Sequence, residues 1–195
     1  MFYLNKMKIT ISGTPGSGKN TIGEILANKL KYRLYNIGDL RREIAKKMNL
    51  SLEEFNKLGE SEGFTDKDVD KIIQEIGKTQ DNFIVNGRLA FHFIPDSVKI
   101  FLKVSLEESA KRILKDKRTE ESYKDLNEAK KGIQNIMTSD TKRYKKYYNT
   151  NCYNESNHDF VLDTTNLTKE QVLSEILNFL EKFIKEENFN IKDDI

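Results

Sequence analysis

Eight residues near the amino end, Gly13-Thr14-Pro15-Gly16-Ser17-Gly18-Lys19-Asn20, have the types and spacing to hold a phosphate chain. Glycines so spaced let successive backbone N–H groups converge on one anion. The start of a following helix adds positive potential, and the lysine reaches the outer phosphates. The pattern closes on Ser or Thr, whose hydroxyl is a compact Mg²⁺ ligand, but here the closing residue is Asn20. A carboxamide oxygen also suits a hard cation, though it is longer and needs room. Thr21 is turned by ~100° around a helix and does not replace it. The expectation is triphosphate binding by residues 13–21, with Asn20 a weak metal ligand acting through a bridging water.

Such a loop needs a strand before it and a helix behind it. Lys8 to Ser12 is a β-branched run, and "KNTIGEILANKL" sets Ile22, Ile25, Leu26 and Leu30 on one helical stripe. Further strands are expected at "RLYNI", "NFIVN", "VKIFLKV" and "DFVLDTT". Helices are expected at "GDLRREIAKKM", "SLEEFNKLGE", "TDKDVDKIIQEIGK", "LEESAKRILKD", "AKKGIQNIMTSDTKRYKKYY" and "TKEQVLSEILNFLEKFI". Ser51 and Glu54 stand at the two positions of a capping box. "KRTEESYKDLNEA" has no apolar period and reads as a mobile polar segment, and "KEENFNIKDDI" as a frayed tail. Five strands alternating with helices predict an α/β fold, a parallel sheet covered on both faces.

The chain has 195 residues, enough for one domain with a sizeable core. A net charge of +2 argues against a dedicated nucleic-acid binder. A single cysteine, Cys152, excludes an intrachain disulfide and a zinc cluster. With no apolar run of membrane-span length and no signal-peptide pattern, a cytoplasmic protein is expected.

Several ordered blocks, "GTPGSGK", "GDLRREIAKKMNLSLEEFNKLGE", "NGRLAFHF", "SDTKRYKKYY" and "DFVLDTTNLTKEQV", resemble the nucleoside monophosphate kinases. The resemblance is to their compact archaeal-type cytidylate kinases, over about residues 7–184. It implies a three-layer P-loop NTPase fold with a helical acceptor-binding arm at about 38–80, a short lid at about 116–127, a single kinase domain over 1–187 and a flexible tail at 188–195. The implied reaction is transfer of the γ-phosphate of ATP, with Mg²⁺, to CMP or dCMP; a monomer with no membrane or nucleic-acid partner is expected besides. Arg42 and Arg88 match the family's two monophosphate-gripping arginines, where a planar guanidinium fork suits two phosphate oxygens. Asp39 and Asp140 join the acceptor site, Asp140 on the pentose, and Arg143 stabilises charge on the transferring group. Arg118 is taken as the lid cation, with Lys117 and Lys142 as alternatives. The catalytic set is thus Lys19, Arg143 and Arg118.

Three positions depart from the family pattern: Asn20 replaces a hydroxyl, Asn86 an acid, and Ile136 an arginine one turn before Asp140. They keep open a nucleotide-binding protein without turnover. A related kinase acting on UMP or AMP is open too, because base selectivity resides in the arm. Tyr144, Tyr147 and Tyr148 recur at helical spacing and read as packing. Cys152, His92 and His158 are assigned no role.

Overall fold

A computed structural model describes residues 7–62, 64–116 and 123–193. The chain order is β1 (Lys8–Gly13), α1 (Lys19–Leu30), β2 (Arg33–Asn36), α2 (Ile37–Lys47), α3 (Leu52–Glu62), α4 (Phe64–Thr79), β3 (Phe83–Asn86) and α5 (Ala90–Phe93). It continues with β4 (Val98–Lys103), α6 (Leu106–Lys115), α7 (Leu126–Tyr148), β5 (Phe160–Asp163) and α8 (Lys169–Asp193). The strands form one sheet in the order β2-β3-β1-β4-β5, and every pairing is parallel. After β3 the chain crosses from one side of β1 to the other. That leaves a crevice at the carboxyl ends of the central strands, where α/β sheets bind ligands.

Two cores follow from the period of two along buried strands. Ile9 and Ile11 of β1, Ile84 of β3, and Val98, Ile100 and Leu102 of β4 face Ile22 and Leu26 of α1 and Val172, Ile176 and Leu180 of α8. On the opposite face, Phe83 and Val85 pack against Ile37, Val69, Ile73, Ile76 and Ile94 of the α2–α5 side. Helices thus cover both faces, as the alternation of elements predicts.

The capping box forms. The Ser51 backbone N–H donates to Glu54 Oε2 at 2.8 Å, and the Glu54 N–H donates to Ser51 Oγ at 3.2 Å. Two expectations are corrected. Helix α7 starts at Leu126, inside the segment read as polar and irregular, because Asp125 Oδ1 accepts from the N–H groups of Asn127 and Glu128 at 2.8 and 2.9 Å. Helix α8 runs on to Asp193 rather than ending at Ile184. The Asn-rich connection around Cys152 is also not incidental to packing: Cys152 is buried with Leu89, Phe91 and Tyr144. Residues 117–122, half of the expected lid with Arg118 and Lys117, lie outside the described residues. No described helix is long and apolar enough to cross a membrane.

Candidate functional site

The loop between β1 and α1 is shaped by glycines that no other residue could replace without a shift. Gly13 has φ 148°, and a Cβ there would lie 2.0 Å from the Leu102 carbonyl oxygen. Gly16 has φ 71°, and its Cβ would meet Ser109 Oγ at 2.5 Å. Ser109 Oγ in turn donates to the Pro15 carbonyl at 2.8 Å, tying the loop to α6. Ser17 is buried, and its hydroxyl has no partner among the described residues. The loop opens on a cleft of about 1060 Å³ lined by Gly16 to Ile22, by Asp39 and Arg42 of α2, and by Arg112, Thr164 and Lys169 on the far side. Arg112 joins the walls, donating to Thr164 Oγ1 at 3.1 Å and to the Thr164 carbonyl at 2.7 Å.

Lys19 Nζ donates to the Thr14 carbonyl at 2.8 Å. Burial, with repulsion from Arg88, pulls its ammonium down to about 7, against weaker support from Asp140. A triphosphate would restore the charged form, so binding is linked to proton uptake. At pH 8, where the nucleotide is ionised, ATP binding should take up close to one proton, roughly 0.9 for a pKa near 7. Apparent affinity should fall about tenfold per pH unit above 7 until the bound-state pKa is passed. Calorimetry in buffers of different ionisation enthalpy checks this. Zero uptake would mean that Lys19 is already charged in the free protein.

A second set of charges lies deeper. Asp140 of α7 is almost fully buried, and three groups converge on it. Arg143 Nη2 donates to Oδ1 at 2.9 Å and the Tyr153 hydroxyl to Oδ2 at 2.7 Å, while Arg88 Nε stands 2.8 Å from Oδ2. The Arg88 N–H is not aligned on that oxygen, and Nε is buried with no hydrogen-bond partner among the described residues. Burial is the largest influence and opposes the Arg88 charge, but Asp140 together with Tyr153, Tyr144 and Cys152 outweighs it and holds the guanidinium above its ordinary value. Burial, with Asp140 adding to it, also pushes the Tyr153 hydroxyl up, so it remains a donor. Arg143 also donates to the Tyr144 hydroxyl at 3.1 Å and to Asn56 Oδ1 at 3.3 Å. Asn56 Oδ1 accepts from Arg41 Nη2 as well, at 2.9 Å, which joins α2, α3 and α7.

The structure therefore sorts the expected residues into two groups. Residues of the phosphate loop share the open cleft with Asp39 and Arg42, which pair with each other at 2.5 Å. Arg88, Asp140 and Arg143 form the buried cluster, and Lys19 feels both Arg88 and Asp140. Ile136 is half-buried and joins none of the apolar clusters that hold its neighbours Ile133 and Met137. Lys142 is exposed. Tyr144 is core, and Tyr148 packs on His92 and Phe93. Sequence reasoning passed over Tyr153, Asn56, Arg41 and Arg112. Asn56 and Tyr153 sit in polar stretches with no motif, and Arg41 is told from Arg42 only by which way it faces.

Three carboxamides meet at the position expected to touch a metal. Asn86 Nδ2 lies 2.8 Å from Asn20 Oδ1 and 3.1 Å from Asn36 Oδ1. With the Asn86 amide turned over, its nitrogen would instead meet the Ile11 carbonyl at 3.2 Å. Either way the oxygens offered are neutral. Asn20 fits a hard cation as one uncharged ligand. Among the described residues no group of three or more His, Cys, Asp or Glu is placed to hold a metal.

Residues 8–166 match the model of the cytidylate kinase-like family. The chain is 37% identical over 158 residues to a cytidylate kinase from Methanothrix thermoacetophila, a match covering 81% of this chain and 88% of that one. It is 30% identical over 178 residues to an S-adenosylmethionine-dependent nucleotide dehydratase from Lacinutrix mariniflava. That match takes in 91% of this chain but only 36% of the dehydratase, so the chain spans about a third of that relative's length. Among solved structures, a shikimate kinase from Bacteroides thetaiotaomicron is similar in fold, with a TM-score of 0.62 at 15% identity, covering 90% of this chain and 98% of that one.

Proposed function

The chain belongs to the cytidylate kinase-like family, and from that premise we propose that it transfers the γ-phosphoryl group of ATP to CMP or dCMP. The observation that carries this reading is the pairing of sites. An open cleft ends on the phosphate loop, and Arg88 and Arg143 converge on the buried carboxylate of Asp140, whose charge, with that of Arg88, is felt by Lys19. A half-exposed guanidinium held in place next to a phosphate loop suits a second phosphate.

In this mechanism the residues from Gly13 to Lys19 hold the triphosphate through backbone N–H groups and the lysine. Arg88, with Arg42 at the cleft mouth, takes the acceptor phosphate. Arg143 and Asp140 keep the acceptor side rigid, and Arg143 adds positive potential where charge develops. The arm formed by α2, α3 and α4 excludes water, whose attack on ATP is the competing reaction. The protein needs to supply positioning and charge rather than a covalent intermediate. Mg²⁺ would arrive on the nucleotide and neutralise phosphate charge, and Asn20 is the residue that would touch it, directly or through water. Arg118 is proposed as a further cation on the lid side.

A second reading, nucleotide binding without turnover, draws on the neutral cluster of Asn20, Asn36 and Asn86. ADP production with ATP, Mg²⁺ and each of CMP, dCMP, UMP, AMP and GMP separates the two, with Lys19→Ala as the blank. The kinase reading expects turnover on CMP or dCMP above that blank. ATP binding with no turnover on any acceptor would favour the second reading, and turnover confined to UMP or AMP would move the acceptor.

A further inference from the structure

We infer that Tyr153 is a positioning residue that keeps Arg88 available to the acceptor phosphate by occupying Asp140, an inference that rests on the reading of Arg88 given above. Two donors compete for one oxygen: the Tyr153 hydroxyl is hydrogen-bonded to Asp140 Oδ2, whereas Arg88 Nε reaches the same oxygen at ion-pair distance without alignment. The other oxygen, Oδ1, belongs to Arg143. An arginine beside a free carboxylate oxygen would align a charge-assisted hydrogen bond on it. Here the neutral O–H takes that place. Coulomb attraction still anchors the guanidinium, but its directional bonds are left for another acceptor. The Arg88 side chain is 28% exposed, so the buried pair is open on one side, towards solvent. The ligand chemistry that matches an anchored guanidinium, half-exposed and with Nε lacking a hydrogen bond among the described residues, is a phosphate monoester.

Tyr153→Phe tests this, because phenylalanine keeps the ring's packing beside Leu89 and Cys152 and removes only the hydroxyl. With Oδ2 vacated, Arg88 closes on Asp140, and a phosphate must then break that bond. The expected result is a loss of CMP affinity of about tenfold, seen as a raised KM with kcat changed by less than about threefold. In an Arg88→Ala background the same change should have no further effect. In the ligand-free protein, solvent exchange of the Arg88 Nε–H, followed by NMR, should slow about tenfold as its hydrogen bond forms. Unchanged exchange together with CMP affinity within about twofold of wild type overturns the inference. So does an equal loss of affinity with and without Arg88, which a merely structural role would produce. Wild-type protein that binds no CMP would overturn the acceptor reading instead, and the exchange measurement would still decide the role of Tyr153.

Discussion

Lys19→Ala should lower kcat by about 10²–10³-fold on the accepted monophosphate while leaving the fold intact. On the proposed reading the cation is worth this much because it is half-buried at the end of the cleft and would face charge that builds up on the transferring group. The burial that depresses the Lys19 ammonium is a measure of that environment. Removing the side chain gives up one hydrogen bond, to the Thr14 carbonyl. The loop keeps its backbone bonds, Thr14 N–H to the Leu102 carbonyl at 3.1 Å and Ile22 N–H to the Gly18 carbonyl at 2.9 Å. A desolvated ammonium also disappears, which offsets part of the loss, so the unfolding free energy should change by no more than about 1 kcal/mol. Steady-state kinetics beside urea denaturation tests both halves. A kcat within about fivefold of wild type would remove Lys19 from the chemistry, and a collapse of the fold would make it a structural residue.

Asp140→Ala should be the most destabilising single change at the site, by about 3–5 kcal/mol, because it removes the carboxylate that two arginines share in a buried place. The Arg143 side chain is 0% exposed and Asp140 only 2%, so water cannot replace the carboxylate where Arg143 lies. Arg88 would lose its counter-charge in the same step. Asp140→Asn preserves shape and one acceptor oxygen, and should cost distinctly less. Turnover should fall in both, since Arg88 and Arg143 lose their common anchor. Urea midpoints at constant m-value report the stability term. A loss below about 1 kcal/mol for the alanine variant would show that the cluster contributes little to stability and that its role is confined to ligand binding.

The amino-acid sequence carried the frame far. The run from Lys8 to Leu30 has a β-branched strand, glycines at fixed spacing and an apolar helical stripe, all local signals, and β1, the loop and α1 lie where those signals put them. Ser51 and Glu54 likewise announced a helix start three residues apart. Asp125 and Glu128 have the same spacing and mark the start of α7, but the charge-rich segment around them hid the cap.

Local period and spacing thus sufficed for the parallel α/β sheet and the phosphate loop, and the resemblance of the ordered blocks pointed to the family. They could not say which of two neighbouring arginines turns inward. Arg41 is buried against Phe55 and Asn56, while Arg42 stands at the cleft with Asp39, an outcome set by how α2 packs on α3. Nor could they bring Arg88, Asp140 and Tyr153 together, since these come from the end of β3, the middle of α7 and the connection after it. The same holds for Asn20, Asn36 and Asn86, three scattered amides that meet only when β1, β2 and β3 end side by side. Local patterns follow from the chain's own periodicity. Partnerships of charge and hydrogen bonding follow from burial, which forces each polar group to find whatever donor or acceptor the fold has carried to it.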